Sequence, residues 1–451
     1  MRGEIKLRDG DRVAIIGGGP AGSFFAHFIH KFARLEGIHI KTVIFDGKDF
    51  LQKGPRGCNL CAGVLSESLV QKLKDEGIHL PEKRIISRVE GYILHIDGDS
   101  LPLLCSENEK DTIATVFRGN GPRFSTFQEV ISFDDFLMKT TQELGTEIFP
   151  SPVWDIELPE NRSERIIISH GNKDNPQKTE ADLVVGAFGV NAYMMDKVKD
   201  LGFGYNPPST LSTFQAELKL GREKILENFG NTIHVYMPKT KTLRYATVIP
   251  KDDYITVTVI GKRDATKDML QKFLALKDVQ GKIPFCQPHC FCLPRIIVSP
   301  AKKPYTDRFV VIGDASYSRH YKNGIESAFL TARLAAQTAV LYGVDAASFK
   351  SYYHRLAKKQ IIRDNIYGRL LFFISRLISS VSLLSKAHLK LAKKRQLSGP
   401  PQKIRALLWN MFTGNIPYRD IFKISLDLSL HLSLLFTTLV LLAGKLKKNT
   451  Q

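Results

Sequence analysis

The sequence predicts an α/β fold: a discontinuous Rossmann-type nucleotide-binding domain, a smaller antiparallel β-sheet domain and a basic helical C-terminal region. Three observations carry this. Val13 to Gly22, VAIIGGGPAG, reads as a buried strand, a glycine-lined turn and a helix start. Far downstream, Arg308 to Ile312 reads as a second buried strand delivering Gly313 and Asp314 to a turn before the alanine-rich stretch Gly324 to Tyr342. Between them, TIHVYMP, TLRYATVIP and YITVTVIG alternate apolar and polar residues in the manner of antiparallel strands.

The first element sets the chemistry. Gly17, Gly19 and Gly22 stand in G-x-G-x-x-G spacing. The first glycine allows the tight turn, the second lets a pyrophosphate approach the backbone, and the third lets helix pack on strand. A helix from Pro20 to Leu35 then aims its N-terminal amides at the phosphates. The strand Lys41 to Phe45 ends in Asp46, where an acid reaches the ribose hydroxyls of a dinucleotide.

Composition narrows the rest. The 451 residues, 43% hydrophobic and 24% charged, suit one large or two medium cores. The charged start MRGEIKLRDG lacks the apolar run of a secretory signal, so a cytoplasmic protein is expected. Six cysteines in so long a chain make no disulfide framework. The net charge of +19 is concentrated in the tail, where Ser351 to Gln451 carries eighteen lysines or arginines against three acids. This predicts an anionic surface as the tail's partner; nucleic acid is not an expected partner.

Taken in order, the nucleotide-binding domain covers 1–83, 118–199 and 300–345, the β-sheet domain 84–117 and 200–299, and the C-terminal region 346–451. Helices are expected at Phe133 to Leu144 and Lys267 to Leu276, strands at Glu147 to Leu158, Arg165 to Ser169 and Asp182 to Ala187, and a polar hairpin loop at GNKDNPQK.

The glycine turn near the start and FVVIGDASYSRHYKNGIESAFLTARLAA near residue 309 resemble the FAD-dependent oxidoreductases of the geranylgeranyl reductase group, within the flavoprotein class that includes the aromatic hydroxylases. The resemblance covers about residues 10 to 345. It implies that FAD is the cofactor, that Gly313 and Asp314 bind its ribityl or pyrophosphate part, and that Gly324 and Ile325, in Lys322-Asn323-Gly324-Ile325, start a helix beside the flavin. Cys61-Ala62-Gly63-Val64 looks like the family's loop along the isoalloxazine, with Arg56 and Cys58 just upstream. On that basis Arg56, Ala62 and Gly63 join the cofactor residues and Cys61 is a candidate proton source. Small residues at 62 and 63 allow backbone amides to approach the ring; a Cys58-x-x-Cys61 redox dithiol and half of a metal site are the alternatives. Tyr245-Ala246-Thr247-Val248-Ile249-Pro250 is similar to the family's Y-x-W-x-F-P segment, which implies that Tyr245, Thr247 and Pro250 line the substrate cavity. Phe188 stands where the hydroxylases' G-A-D-G segment has Asp, so the resemblance does not imply a directly bound NAD(P)H. A ferredoxin-like protein or a quinol is an equally open electron donor.

Two further stretches carry expectations. Cys286, His289, Cys290 and Cys292 cluster in PFCQPHCFCLP, but their spacing fits neither a zinc ribbon nor a ferredoxin run, and no metal site is assigned. Beyond Ser351, Arg369, Arg376, Lys386, Lys390 and Lys394 fall along one side of a helix with leucines and Phe373 elsewhere, a pattern suited to an anionic interface. The stretch Leu428 to Gly444 is at the short limit for a membrane span and is expected to dock peripherally or monotopically.

The resemblance and the tail together imply an FAD-dependent reductase of carbon–carbon double bonds in a prenyl or isoprenoid lipid at a membrane surface. An FAD-dependent monooxygenase of an apolar substrate is the first alternative, and an electron-transfer flavoprotein serving membrane quinone the second.

Overall fold

A computed structural model describes residues 4–104, 113–190, 193–283, 288–321, 323–394, 396 and 398–449. The chain forms two compact units. The first comprises 1–61, 117–211 and 294–363, and the second 62–116, 212–293 and 364–451.

The first unit is built on a six-stranded sheet. Its order is Tyr305–Thr306, Phe309–Val311, Leu183–Gly186, Arg12–Ile16, Lys41–Phe45 and Glu147–Phe149. All pairings but the Tyr305–Thr306 edge are parallel. Parallel strands buried on both faces must be apolar throughout, and Val13, Ile15, Val184, Val185, Val310 and Val311 are all inaccessible to solvent. Register aligns Ile16 with Phe45 on one side and Gly186 on the other, and Gly186 with Val311. The turns after all four strands therefore leave from one edge of the sheet, the edge where open α/β sheets bind ligands. Helix Pro20–Leu35 packs on helix Gly324–Leu341, with Phe24 and Phe28 both set edge-on against Phe329 at 5.4 and 5.2 Å. A three-stranded antiparallel layer, Val153–Glu157, Ile166–Gly171 and Pro176–Ala181, completes this unit. Its pairing runs on through Gly171 opposite Pro176, so the polar hairpin loop expected over GNKDNPQK shrinks to the turn between them.

The second unit is organised on a larger sheet in the order Cys290–Cys292, Ser209–Lys219, Tyr254–Gly261, Leu243–Lys251, Ile233–Tyr236, Gly91–Ile96 and Asp99–Leu104. The strands are antiparallel except where Ile233–Tyr236 meets Gly91–Ile96. One face is apolar: Phe214, Ala216, Leu218, Ile255, Val257 and Val259 pack with Phe273 of helix Lys267–Leu274. Val64–Leu65, Ser87–Val89 and Ile113–Thr115 form a small separate sheet.

Two expectations change here. Residues 62–83 group with the β-sheet unit rather than with the nucleotide-binding domain, because Val64–Leu65 pairs with Ile113–Thr115. Residues 346–363 group with the first unit, where Tyr353 hydrogen-bonds Ser316 and the Val311 carbonyl, and only 364–451 belong with the second.

The basic C-terminal stretch is also not one helix. Helices Asp364–Ser380 and Ser382–Ala392 are divided by a sharp bend at Val381, where three serines, 379, 380 and 382, weaken the helix by competing for backbone hydrogen bonds. Arg369 and Arg376 are thereby separated from Lys386, Lys390 and Lys394, although all five are exposed. Asp364 accepts hydrogen bonds from the amides of Tyr418 and Arg419 at 2.9 Å each, capping helix Tyr418–Ser425.

A candidate FAD-binding site at the sheet edge

Gly17 has φ +108°, and a Cβ there would stand 2.6 Å from the Ala187 carbonyl oxygen, so only glycine makes this turn. Its amide donates to the Phe45 carbonyl, tying the turn to the end of the second strand. A Cβ on Gly22 would meet the Gly17 carbonyl oxygen at 1.9 Å, which is the close helix–strand approach expected of the third glycine. Gly19 differs: its nearest neighbours are side-chain atoms, Asn59 Nδ2 at 3.0 Å and Arg118 Nη2 at 3.8 Å from a notional Cβ.

Asp46 sits beside this turn. Its carboxylate accepts from the amides of Gly18 at 2.7 Å and Lys48 at 2.8 Å, leaving acceptor capacity on both oxygens. Burial raises its pKa, against those two backbone donors. Gly313, with φ +64°, abuts the start of the first helix, since its notional Cβ would lie 2.8 Å from the Ala21 methyl. Gly324 opens its helix against Asp314, whose Oδ2 lies 3.2 Å from a notional Cβ. Ile325 is buried, and Lys322 of the same stretch lies outside the described residues.

The first unit therefore brings Gly17, Gly19, Gly22, Asp46, Gly313, Asp314 and Gly324 to one sheet edge. Asp314 provides the test of fit. Its Oδ1 is buried without a hydrogen-bond partner, and burial raises its pKa. An orphaned acceptor of this kind suits the hydroxyls of a polyol chain. The first-turn amides of Pro20–Leu35, which a helix cannot satisfy internally, suit the phosphates.

Sequence reading missed the polar network behind the glycine turn. Arg118 and Asp134 form a buried ion pair, with Arg118 Nη2 to Asp134 Oδ2 at 2.9 Å. Asn59 Nδ2 donates to the same Oδ2 at 2.6 Å, and Lys48 Nζ donates to Asn59 Oδ1 at 3.0 Å and to the Cys58 carbonyl at 2.9 Å. Cys58 and Cys61 are half-buried, and Asp134 raises the pKa of the buried Arg118 against the burial that lowers it. Ser132 before helix Phe133–Glu143 is a visible N-cap, accepting from the Asp135 amide, but the 16-residue separation of Arg118 from Asp134 carries no periodic signal. Arg56 is exposed on a single 3₁₀ turn, Pro55–Gly57. Phe188, in place of an acid, folds its ring over Gly186 and joins the apolar cluster of Ile16, Val184 and Phe309.

In the second unit Gly63 has φ +67°, and a Cβ there would lie 2.0 Å from the Val116 carbonyl oxygen. Its own carbonyl accepts from the Val116 amide, so the half-buried Ala62 precedes a backbone-locked glycine. Tyr245 and Thr247 share one face of strand Leu243–Lys251, opposite Ile260 and Thr258, and both are half-buried. Pro250, opposite Ile255, falls on the other face by alternation. Cys290 and Cys292 lie on a strand paired with Glu217 and Gln215. Among the described residues no group of three or more His, Cys, Asp or Glu could hold a metal ion, and Cys286 is not among those residues.

Known proteins share this architecture. A geranylgeranyl bacteriochlorophyll reductase-like protein from Thermoplasma acidophilum superposes with a TM-score of 0.65 at 16% identity, covering 92% of this chain and 98% of that one. In fold, this chain is similar to flavoproteins. A flavoprotein/dehydrogenase from Cytophaga hutchinsonii gives a TM-score of 0.64 at 17% identity over 90% of this chain and 93% of that one. p-Nitrophenol 4-monooxygenase from Pseudomonas putida gives 0.54 at 13% identity over 95% and 99%. In sequence, the geranylgeranyl diphosphate reductase of Synechocystis sp. is 23% identical over 344 residues, covering 73% of this chain and 75% of that one. No protein-family model matches the chain. The site at the sheet edge has the glycines, amides and acids to hold a dinucleotide such as FAD.

Proposed function

We propose that this flavoprotein reduces carbon–carbon double bonds in a prenyl lipid at a membrane surface. The observation that carries the reading is the Synechocystis relative, named as a geranylgeranyl diphosphate reductase and aligned over 73% of this chain. Bound FAD would supply the hydride equivalent for such a reduction. The chain's own part is to hold the phosphates through Gly19 and the amides that follow it, to fix the ribose with Asp46, and to satisfy Asp314 with the ribityl hydroxyls. Ala62 and Gly63 are proposed to run along the isoalloxazine, Tyr245 and Thr247 to line the substrate cavity, and Cys61 to hold a proton for the alkene carbon that does not take the hydride.

The test is anaerobic. Chemically reduced protein mixed with a geranylgeranyl lipid in micelles is expected to regain oxidised-flavin absorbance and to yield a more saturated lipid. The second reading is a monooxygenase, favoured by the fold match to p-nitrophenol 4-monooxygenase. It requires no anaerobic reoxidation, followed on admission of air by rapid reoxidation and an oxygenated product.

The membrane part of the proposal rests on two exposed apolar stripes. Helix Asp364–Ser380 exposes Ile366, Leu370, Phe373 and Leu377 alongside Arg369 and Arg376. Helix Leu428–Asn449 exposes Leu432, Leu435, Phe436 and Leu439 and ends in lysines. Each helix is anchored on its other side: Leu371 packs with Met411, Tyr418 and Ile421, and Leu430 joins the cluster of Leu94, Leu101 and Leu389. The final helix is long and apolar enough to cross a membrane. A helix fastened along its side while its outer face is apolar is suited to lie in the interface instead, with basic residues at anionic headgroups. Sedimentation with phosphatidylserine-containing vesicles is expected to capture the protein far better than with phosphatidylcholine alone. Phe436→Glu with Leu439→Glu removes two side chains each worth about 1.5–3 kcal/mol when buried and should weaken capture at least tenfold. Undiminished capture of the double variant would refute this surface.

A further inference from the structure

Behind the turn that presents Asp314, the first unit carries a cluster of buried tyrosines. Strand Phe309–Val311 ends there, and after Ile312 the chain makes the single 3₁₀ turn Gly313–Ala315. The carbonyls of Val311 and Ala315 thus lie where the strand has ended and no α-helix has begun, and buried carbonyls need partners. Tyrosines supply them. Tyr205 Oη donates to the Ala315 carbonyl at 2.7 Å, and Tyr353 Oη donates to the Val311 carbonyl at 2.9 Å. Tyr353 has a single hydroxyl proton, so the Ser316 hydroxyl, 2.9 Å away, is the donor to the Tyr353 oxygen. One residue on, Tyr317 Oη lies 2.6 Å from His354 Nδ1. Burial, with Lys358 and Lys350 nearby, lowers the His354 pKa, so the neutral ring is able to accept from Tyr317. Tyr205, Ser316, Tyr317 and Tyr353 are all buried, and every residue of the cluster belongs to the first unit.

Packing does not call for these hydroxyls. Phenylalanine would fill nearly the same volume, and a buried hydroxyl costs free energy unless it is bonded. What the hydroxyls add is direction, because they fix individual backbone atoms of the segment from 311 to 316. Asp314 lies in the middle of that segment, with its Oδ1 buried and lacking a hydrogen-bond partner. The backbone around it is also held from other sides: the Gly313 amide donates to Thr331 Oγ1 at 3.0 Å, and the Ser316 carbonyl accepts from the Ala301 amide at 2.9 Å. Tyr353 and His354 close a π-helical segment, Phe349–His354. Neighbours in an α-helix diverge by about 100°. The wider π turn brings them closer together, and such segments recur at functional sites. Here it turns two consecutive side chains toward Val311, Ser316 and Tyr317.

We propose that Tyr353 is a positioning residue for the flavin: through the Val311 carbonyl and the Ser316 hydroxyl it fixes the turn that aims Asp314 at the ribityl hydroxyls, while Tyr205 fixes the far end of that turn. The proposal rests on the reading that Asp314 receives the ribityl chain of FAD. Tyr353 acts through the backbone and not by contact with the cofactor. An acceptor held in place binds more tightly than one that must be ordered when the ligand arrives. Residues 346–363 thereby become part of cofactor retention.

FAD and ADP together separate positioning from folding, because ADP carries the adenosine and two phosphates but no ribityl chain. Both are titrated onto the purified protein by equilibrium dialysis, FAD directly and ADP as its competitor. Tyr353→Phe, which keeps the ring and loses the hydroxyl, is expected to weaken FAD about tenfold, the upper end of what one hydrogen bond contributes. It is expected to leave ADP within about twofold of wild type. Ser316→Ala carries the same test if Tyr353→Phe does not fold. A variant that binds FAD as tightly as wild type, or that weakens FAD and ADP alike, overturns the proposal. Asp314→Ala distinguishes the two ways of failing. If it weakens FAD while Tyr353→Phe does not, the positioning role alone fails. If it leaves FAD at wild-type affinity, the ribityl chain is not held by Asp314 and the positioning role fails with that reading.

Discussion

Gly19→Val is expected to yield a folded protein that has lost FAD, whereas Gly22→Val is expected not to fold. The two glycines stand three residues apart in one turn, yet they meet different surroundings. A Cβ on Gly22 would meet the Gly17 carbonyl oxygen at 1.9 Å, and backbone cannot yield there without opening the helix from the strand. A Cβ on Gly19 meets nothing nearer than the Asn59 amide at 3.0 Å, and the residue has an ordinary φ of −67°. The cost at Gly19 therefore falls on the ligand, because the valine methyls would occupy the space into which Asn59, Arg118 and the first helical amides point. Flavin content of the purified variants, together with thermal unfolding, checks both outcomes. Gly19→Val that keeps a full complement of FAD would remove the phosphates from this turn. Gly22→Val that unfolds at the wild-type temperature would contradict the packing described here.

The sequence made the elements around this turn legible because their geometry leaves few choices. A strand, three spaced glycines and an acid after the next strand dictate both a backbone path and a ligand class, and the strands Arg12–Ile16 and Lys41–Phe45 and helix Pro20–Leu35 lie where the pattern puts them. Gly313 and Asp314 were legible for the same reason. The Arg118, Asp134, Asn59 and Lys48 network was not, since its members come from separate loops and helices and meet only when the sheet edge assembles. The row of Gln215, Glu217, Thr256 and Thr258 was half visible: alternation in YITVTVIG marks a polar face, but which polar residues become neighbours depends on inter-strand register. The bend at Val381 was missed because apolar spacing continues across it, while the serines that break the helix count as neutral in that spacing. Pro250 shows the limit of reading a segment as a unit, as adjacent residues of one strand face opposite ways.

Asp134→Asn should have the second large effect, and it falls on stability before it falls on binding. Asp134 is inaccessible to solvent and receives Arg118 and Asn59. Removing its charge leaves the buried guanidinium without a counter-ion, a loss of about 3–5 kcal/mol for breaking such a pair from one side. Urea unfolding of the FAD-free variant should show a lower midpoint at unchanged slope, the sign of altered stability rather than altered compactness. A loss under about 1 kcal/mol would mean that the pair is effectively solvated and does not hold the site. The double variant Arg118→Met with Asp134→Leu separates the two roles. Replacing both partners by apolar side chains of similar volume removes the desolvation cost along with the attraction, so stability should return to within about 1–2 kcal/mol of wild type or exceed it. FAD retention should not return, because the cation beside Gly19 and the acceptor that orients Asn59 are both gone. Recovery of stability without recovery of flavin would show that a buried ion pair is kept here for the cofactor's phosphates and not for the fold.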